Sequence, residues 1–298
     1  MTNRNTTLSY LIATKNKLPY LKVSLETLMN NKQSDEEIIV IDGNSTDGTK
    51  EYLEKLFRDN KIDLYLSEPD KGEGHANNKG FLLAKGELLK IVTDDDACHY
   101  PSIQKCKEFM LSNVDVDIIS TDGIKRRNNI SYPFSPMLYQ SRFEKWTKNH
   151  TPFASCGLGL MIRKKSLPVV GLFNISFVRM DAEYTLRMTA GKGKIAWYTH
   201  ESYAHIRNIN SNSNTQEQKI TEELERLEAF YFPEKFYLPL KQKIKFLIKS
   251  LIGKFKSAPK NKEVTDPNIL HDEWVDMYKT SISWLEENSR HNNGQFLY

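Results

Sequence analysis

Four times within the first 96 residues a short apolar run ends in a polar cluster, and three of these lead into an amphipathic stretch before the next run. That repeat confines the chain to an α/β architecture with a largely parallel sheet. The apolar runs Leu8 to Ala13, Ile38 to Ile41, Leu64 to Leu66 and Leu88 to Val92 read as buried strands. Between them, Leu21, Leu25 and Leu28 recur at helical spacing over 18–30. Tyr52, Leu53, Leu56 and Phe57 stripe a helix that starts near Asp47, and His75 to Lys85 supplies a third. Each strand therefore delivers its polar residues at its carboxyl end, the rim on which open α/β sheets gather ligands.

The pattern continues more loosely. Ser102 to Leu111 reads as a helix and Ile118 to Thr121 as a strand. Lys125 to Thr151 has no clear period, so it is expected to be a long functional loop. Order returns at Leu158 to Ile162, in a helix over Asp181 to Ala190, and in strand-like pieces at Ile195 to Tyr198 and Tyr203 to Ile206. A polar linker, Asn208 to Thr215, precedes three helical stretches at Glu217 to Phe230, Leu240 to Lys256 and Ile269 to Glu287.

Composition removes several classes of function. With 39% hydrophobic residues in 298, there is enough apolar mass for a full core. Charge is nearly balanced, 42 basic against 38 acidic side chains, which excludes the strong positive field of a nucleic-acid binder. Cys98, Cys106 and Cys156 are too scattered for a disulfide framework or a zinc site. Met1 to Thr7 lacks the layout of a secretory leader, and no apolar run approaches the ~20 residues of a membrane span. A cytoplasmic protein is expected.

Three rim clusters carry chemistry. Asp42-Gly43-Asn44-Ser45-Thr46-Asp47-Gly48-Thr49 combines tight-turn glycines with a carboxylate able to accept hydrogen bonds from a ribose or base, though capped turns use the same residues. Ser67-Glu68-Pro69-Asp70-Lys71-Gly72-Glu73-Gly74-His75, with Asn78 and Lys79 one turn on, lets backbone approach a ligand and offers cations to phosphate. Asp94-Asp95-Asp96 is either a solvated acidic helix start or a seat for a hard divalent ion, which takes oxygen ligands together with substrate phosphates.

In this order and spacing the clusters resemble the donor half of glycosyltransferase family 2, whose members share the GT-A fold. The resemblance rests on Ala13-Thr14, Asp42 to Thr49, Ser67 to Gly72, Asn78-Lys79-Gly80 and Asp94 to Asp96. It spans roughly Thr7 to Arg207. It implies a Rossmann-like mixed α/β sheet flanked by helices. Residues 1–215 would be the catalytic domain, with 1–122 the donor half and 123–215 the acceptor half. Residues 216–298 would form a helical extension. It also implies a donor-binding set of Ala13, Thr14, Asn16, Asp42, Asn44, Ser45, Glu68, Asp70, Lys71, Gly72, His75, Asn78, Lys79 and Asp94. Asp95, Asp96 and His205 would hold Mn2+ or Mg2+, and Asp181 would be the catalytic base. Two departures stand out: Ala13 replaces the usual proline, and Met180 replaces the glutamate before Asp181. Glu183 lies one position past the favoured face.

The activity so implied is inverting, single-addition transfer from a nucleotide sugar, UDP by analogy, to a saccharide or lipid-linked saccharide in surface polysaccharide synthesis. The alternatives are a non-catalytic nucleotide-sugar binder and a sugar nucleotidylyltransferase, though the latter normally opens on a glycine-rich basic loop, which Lys15-Asn16-Lys17 is not. Over 240–256, Ile244, Leu247, Ile248, Leu251, Ile252 and Phe255 form one stripe among six lysines. That helix either lies in an anionic leaflet or packs on the catalytic domain with a solvated basic face.

Overall fold

The computed structural model describes residues 6–126, 134–191, 193–206, 216–233 and 267–298. Strands β1 (Leu8–Thr14), β2 (Glu36–Asp42), β3 (Leu64–Ser67) and β4 (Leu88–Ile91) alternate with helices α1 (Leu18–Asn31), α2 (Thr49–Arg58) and α3 (Glu73–Leu83), as the repeat requires. Pro19 opens α1, where a missing N–H costs nothing. Gly48, at φ 88°, makes the left-handed turn into α2. In α2, Glu51 near the start and Lys55 and Arg58 near the end complement the helix dipole.

With β5 (Ala97–Cys98), β6 (Ile118–Arg126), β7 (Phe134–Met137), β8 (Met161–Arg163), β9 (Ile195–Ile206) and β10 (Phe296–Leu297), one mixed sheet results, in the order β10-β9-β6-β8-β4-β1-β2-β3, with β5 on β9 and β7 on β6. The β3-β2-β1-β4 half is parallel. The short β8 (Met161–Arg163) runs antiparallel between β4 and β6 (Ile118–Arg126). Side-chain alternation splits the core in two. Leu8, Tyr10 and Ile12 pack with Leu21, Leu25 and Leu53 on one face. Leu11, Ile39 and Ile41 pack with Phe81, Tyr184 and Trp197 on the other. The register sets Thr14 opposite Asp42 and Asp42 opposite Ser67, so three polar side chains stand in a row along one rim.

Of the stretch expected to be a long loop, residues 127–133 lie outside the described residues, and much of the rest is regular structure. β6 runs on to Arg126, β7 pairs with it, and α5 (Gln140–Asn149) follows. Its helical signal is only Phe143 and Trp146, which pack toward Trp197; the rest of α5 faces water and shows no stripe. Helix α4 (Tyr100–Ser112) starts two residues before the expected point, with Pro101 in its first turn. The two expected strand pieces at 195–206 are one strand, β9 (Ile195–Ile206), with β6 beside it absorbing shifts in register near Asp122. Helices α6 (Leu167–Val170) and α7 (Met180–Ala190) precede it. Past the linker stretch, α8 (Glu217–Tyr231) packs Leu227 against Ala182 and Leu186 of α7. Helix α9 (Pro267–His291) lays Trp274, Met277, Tyr278 and Leu285 over Ala97, Ala204 and Ile206. β10 (Phe296–Leu297) then pairs with β9. The expected linker at 208–215 and basic helix at 240–256 lie outside the described residues.

Candidate functional site

The carboxyl ends of β1 and β4 meet around a cavity of about 310 Å³. Its walls are Ala13 and Thr14 at the end of β1 with Lys15, Asn16 and Lys17 of the turn that follows, Asp70, Gly72 and Glu73 at the start of α3, and Thr93, Asp94 and Asp95 after β4. Seven of the residues expected to bind donor or metal therefore line one space: Ala13, Thr14, Asn16, Asp70, Gly72, Asp94 and Asp95. Lys17 was not foreseen in that role. Its position three residues beyond Thr14 at a strand end is the signal that would have found it.

The acidic triplet divides. Asp94 accepts from Thr14 Oγ1 at 2.8 Å and from Lys17 Nζ at 3.2 Å, and the same ammonium reaches Asp95 Oδ2 at 2.8 Å. Burial pushes the Asp94 carboxyl up to about 7 even though Lys17 pulls it the other way. Burial also works against the charge on Lys17, yet the two carboxylates hold it above the usual lysine range. Asp96 turns to β9: Ile206 N–H donates to Oδ1 at 2.7 Å, His205 Nδ1 lies 3.1 Å from that oxygen, and Thr93 Oγ1 donates to Oδ2 at 2.9 Å. The Asp96 charge raises the His205 imidazole. Asp95 thus faces the cavity, while Asp96 and His205 pair with each other, and among the described residues no three metal-ligating side chains form one cluster.

Hydrogen bonds tie the Asp42 loop to its neighbours. Asp42 is fully buried and accepts from Ser45 N at 3.1 Å, from the Ser45 hydroxyl, and from Ser67 Oγ at 2.6 Å. Asn16 and Asn44 both adopt positive φ, 52° and 63°, and Asn16 Oδ1 accepts from Thr46 N at 2.8 Å, which ties the β1 turn to the β2 turn. Gly43 leaves room for the Asp70 carboxylate: a Cβ there would stand 2.5 Å from Asp70 Oδ2 and push that side chain aside. Lys79 pairs with Glu68 at 2.7 Å, and His75 Nδ1 accepts from Lys71 N at 3.1 Å. Asn78, expected at the donor, sits elsewhere. Both ends of its amide are spent on the backbone of Phe173, each at 2.9 Å, so it clasps α3 to the segment before α7.

Asp181 opens α7. Its carboxylate accepts from Ala182 N at 2.8 Å and Gly157 N at 3.2 Å, and Arg179 Nε stands 3.4 Å away. The side chain keeps 17% of its exposure. One contact joins this end to the cavity. Met180 packs on Gly74, where an added Cβ would lie 3.3 Å from it, and Gly74 adjoins the cavity wall at Glu73. The Cys156 thiol nearby in sequence, just before Gly157, is pushed up to about 12, chiefly by burial. Met180 fits because the α3 start is bare glycine there and the site belongs to the core. Glu183 is turned to Arg187, at 2.8 Å, and Arg187 Nη1 binds the Val170 carbonyl at 2.7 Å, so this carboxylate staples α7 to α6.

A family model described as Glycosyl transferase family 2 matches residues 9–167. The chain is 28% identical over 214 residues to a GalNAc(5)-diNAcBac-PP-undecaprenol beta-1,3-glucosyltransferase of Campylobacter jejuni, covering 70% of this chain and 67% of that one. It is 24% identical over 241 residues to a putative teichuronic acid biosynthesis glycosyltransferase, TuaG, of Bacillus subtilis, covering 76% and 92%. Among solved structures, S. aureus TarS 1-349 in complex with UDP-GlcNAc superposes with a TM-score of 0.54 at 16% identity, over 96% of this chain and 92% of that one. The chain spans 55% of a longer TarS chain. A mannosyltransferase from Pyrobaculum calidifontis, in complex with GDP-Man and Mn2+, gives a TM-score of 0.56 at 15% identity over 96% and 84%. The fold is GT-A, as the strand-end motifs led one to expect.

Proposed function

The chain belongs to glycosyl transferase family 2, and we propose that it transfers a sugar, with inversion, from a nucleotide-sugar donor to a hydroxyl of a saccharide or lipid-linked saccharide. The observation that carries this reading is the convergence of Thr14, Lys17, Asp94 and Asp95 on one cavity whose wall leads through Gly74 and Met180 to Asp181.

The nucleoside end of the donor lies toward the Asp42 loop and Asp70, and the diphosphate toward Asp94 and Asp95. The donor chemistry fits a hard divalent ion. Asp94 and Asp95 are buried oxygen ligands that already share one cation, the Lys17 ammonium. Bound there, Mn2+ or Mg2+ would neutralise charge on the departing diphosphate. Lys17 balances the two carboxylates, and Thr14 fixes the orientation of Asp94. Asp181 takes the proton of the attacking hydroxyl; its backbone hydrogen bonds aim the carboxylate, and its residual exposure leaves room for an incoming acceptor. The names of the Campylobacter and Bacillus relatives, which print a PP-undecaprenol-linked saccharide and teichuronic acid biosynthesis, support a lipid-linked saccharide or a growing polysaccharide as acceptor; contact with a membrane is part of the same proposal. No helix among the described residues is long and apolar enough to cross one. The catalytic domain of 1–215 and the extension of 216–298 remain the working division.

Incubating the purified chain with a panel of UDP- and GDP-sugars and lipid-linked acceptors, with Mn2+ or with EDTA, tests the reading. Metal-dependent transfer giving the inverted anomer by NMR is expected. Transfer with retention, or pyrophosphate release without transfer, overturns it.

A further inference from the structure

Both ends of the cleft are held from outside the stretch that matches the family. At the donor end the indole of Trp274, on α9, donates from Nε1 to the Asp95 backbone carbonyl at 3.1 Å, across 179 residues of sequence. Trp274 is 2% exposed and stands edge-on to the ring of Tyr20, centroids 4.8 Å apart, so its N–H cannot swing to another partner without unpacking the helix. At the base end Glu223, on α8, is 4% exposed and spends its carboxylate on three backbone contacts: both oxygens receive Val178 N, at 2.8 and 2.9 Å, and Oε2 receives Arg179 N at 3.0 Å. Those amides sit just ahead of Asp181, at a helix start that has no side-chain cap of its own. A buried carboxylate on N–H dipoles is a strong and directional tie.

We propose that Trp274 and Glu223 are positioning residues for the two ends of the site. Trp274 fixes the backbone turn that aims Asp95 into the cavity, and Glu223 fixes the first turn of α7 and so the direction of Asp181. Packing alone does not require either arrangement: an apolar side chain would fill the place of Trp274, and an apolar residue would serve a helix contact better than a buried glutamate. The inference rests on the roles proposed above for Asp95 and Asp181, and it divides the labour cleanly. Trp274 serves donor binding, and Glu223 serves the chemical step.

Trp274→Phe keeps an aromatic ring and removes the N–H, while Glu223→Gln keeps the shape and removes the charge. In the full chain, Trp274→Phe is expected to weaken binding of UDP with Mn2+, read by calorimetry, and to raise the donor KM, each about tenfold, with kcat within about twofold of wild type. Glu223→Gln is expected to lower kcat about tenfold with donor KM unchanged. Hydrogen exchange followed by mass spectrometry is expected to rise locally, over peptides containing 94–96 in the first variant and 178–182 in the second. Glu223→Asp serves as a second variant and should recover part of kcat. Losses of kcat and affinity that merely follow a fall in Tm, in the same proportion in both variants, would reduce the two residues to scaffold and overturn the proposal. So would unchanged local exchange. Wild-type protein that neither binds UDP nor transfers sugar, while the variants still show the local rises in exchange, overturns the function reading and leaves the two clamps standing.

Discussion

The donor end and the base end of this cleft hold their carboxylates by opposite means. At the donor end Asp42, Asp94 and Asp95 are buried, and their charge is met by hydroxyls and by one shared ammonium. At the base end Asp181 is partly open to solvent and is steadied by backbone N–H groups, with Arg179 only at 3.4 Å. The difference suits the tasks. Stored negative charge at a cation and diphosphate site needs a balancing cation while it waits; a base needs access and a fixed aim, and a tightly held countercharge would blunt it.

The largest effect should come from removing the base. Asp181→Asn is isosteric and keeps one acceptor oxygen, for the Ala182 N–H, while giving up the acceptor of the Gly157 N–H, so turnover should fall by about 10²–10⁴ while UDP affinity holds, as read by steady-state kinetics beside calorimetry. Near-wild-type turnover would erase the contrast between the two ends. Next is Lys17→Met, which leaves two buried carboxylates without their shared cation. A loss of about 3 kcal/mol in urea unfolding is expected, partly restored by millimolar Mn2+. If Lys17→Met unfolds like wild type, the donor end is balanced by something other than the ammonium. A third test sits between the ends: Asn78→Ala orphans the N–H and C=O of Phe173, for a loss of about 2 kcal/mol, with UDP affinity unchanged because the amide never reaches the donor.

Asn78 also marks where sequence reading stops. The donor end is built from strand ends and the turns behind them. Each is local in sequence, so β1 to β4, the Asp42 loop and the acidic triplet can be read from apolar runs and turn residues alone. The base end is assembled across long separations. Nothing local separates an asparagine that faces a ligand from one that clasps Phe173, 95 residues away. The same holds for α5, whose only helical signal is Phe143 and Trp146 because most of its surface is wet. It holds for Trp274 and Glu223, whose partners lie 179 and about 45 residues off. Within the triplet, the resemblance implied Asp95 and Asp96 as metal ligands and Asp94 as a donor contact. Which of them faces the cavity was decided by Lys17 on one side and by His205 and Ile206 on the other, and both lie elsewhere in the chain.

The smallest prediction sharpens the contrast within the donor end itself. Two histidines flank the triplet, and the structure shifts them in opposite directions. His205 touches Asp96 and is raised by its charge, whereas His99, three residues after Asp96, is lowered to about 4, mainly by burial and further by the neighbouring His200. Its Nδ1 meets only the hydroxyl of Ser102, at 2.8 Å. Contact, then, sets the balance of charge here, and nearness in sequence does not. Because the folded-state value of His99 lies below its ordinary 6.5, protonation favours the unfolded chain: its contribution is fully present above about pH 6.5 and is lost as pH falls toward 4. Comparing urea unfolding at pH 7.5 and 5.5, wild type should lose about 1 kcal/mol more than His99→Gln, which has no proton to take up. Equal losses in the two proteins would mean that the acidic triplet reaches His99 through the fold after all, and that the donor end is one continuous field rather than a set of separate pairs.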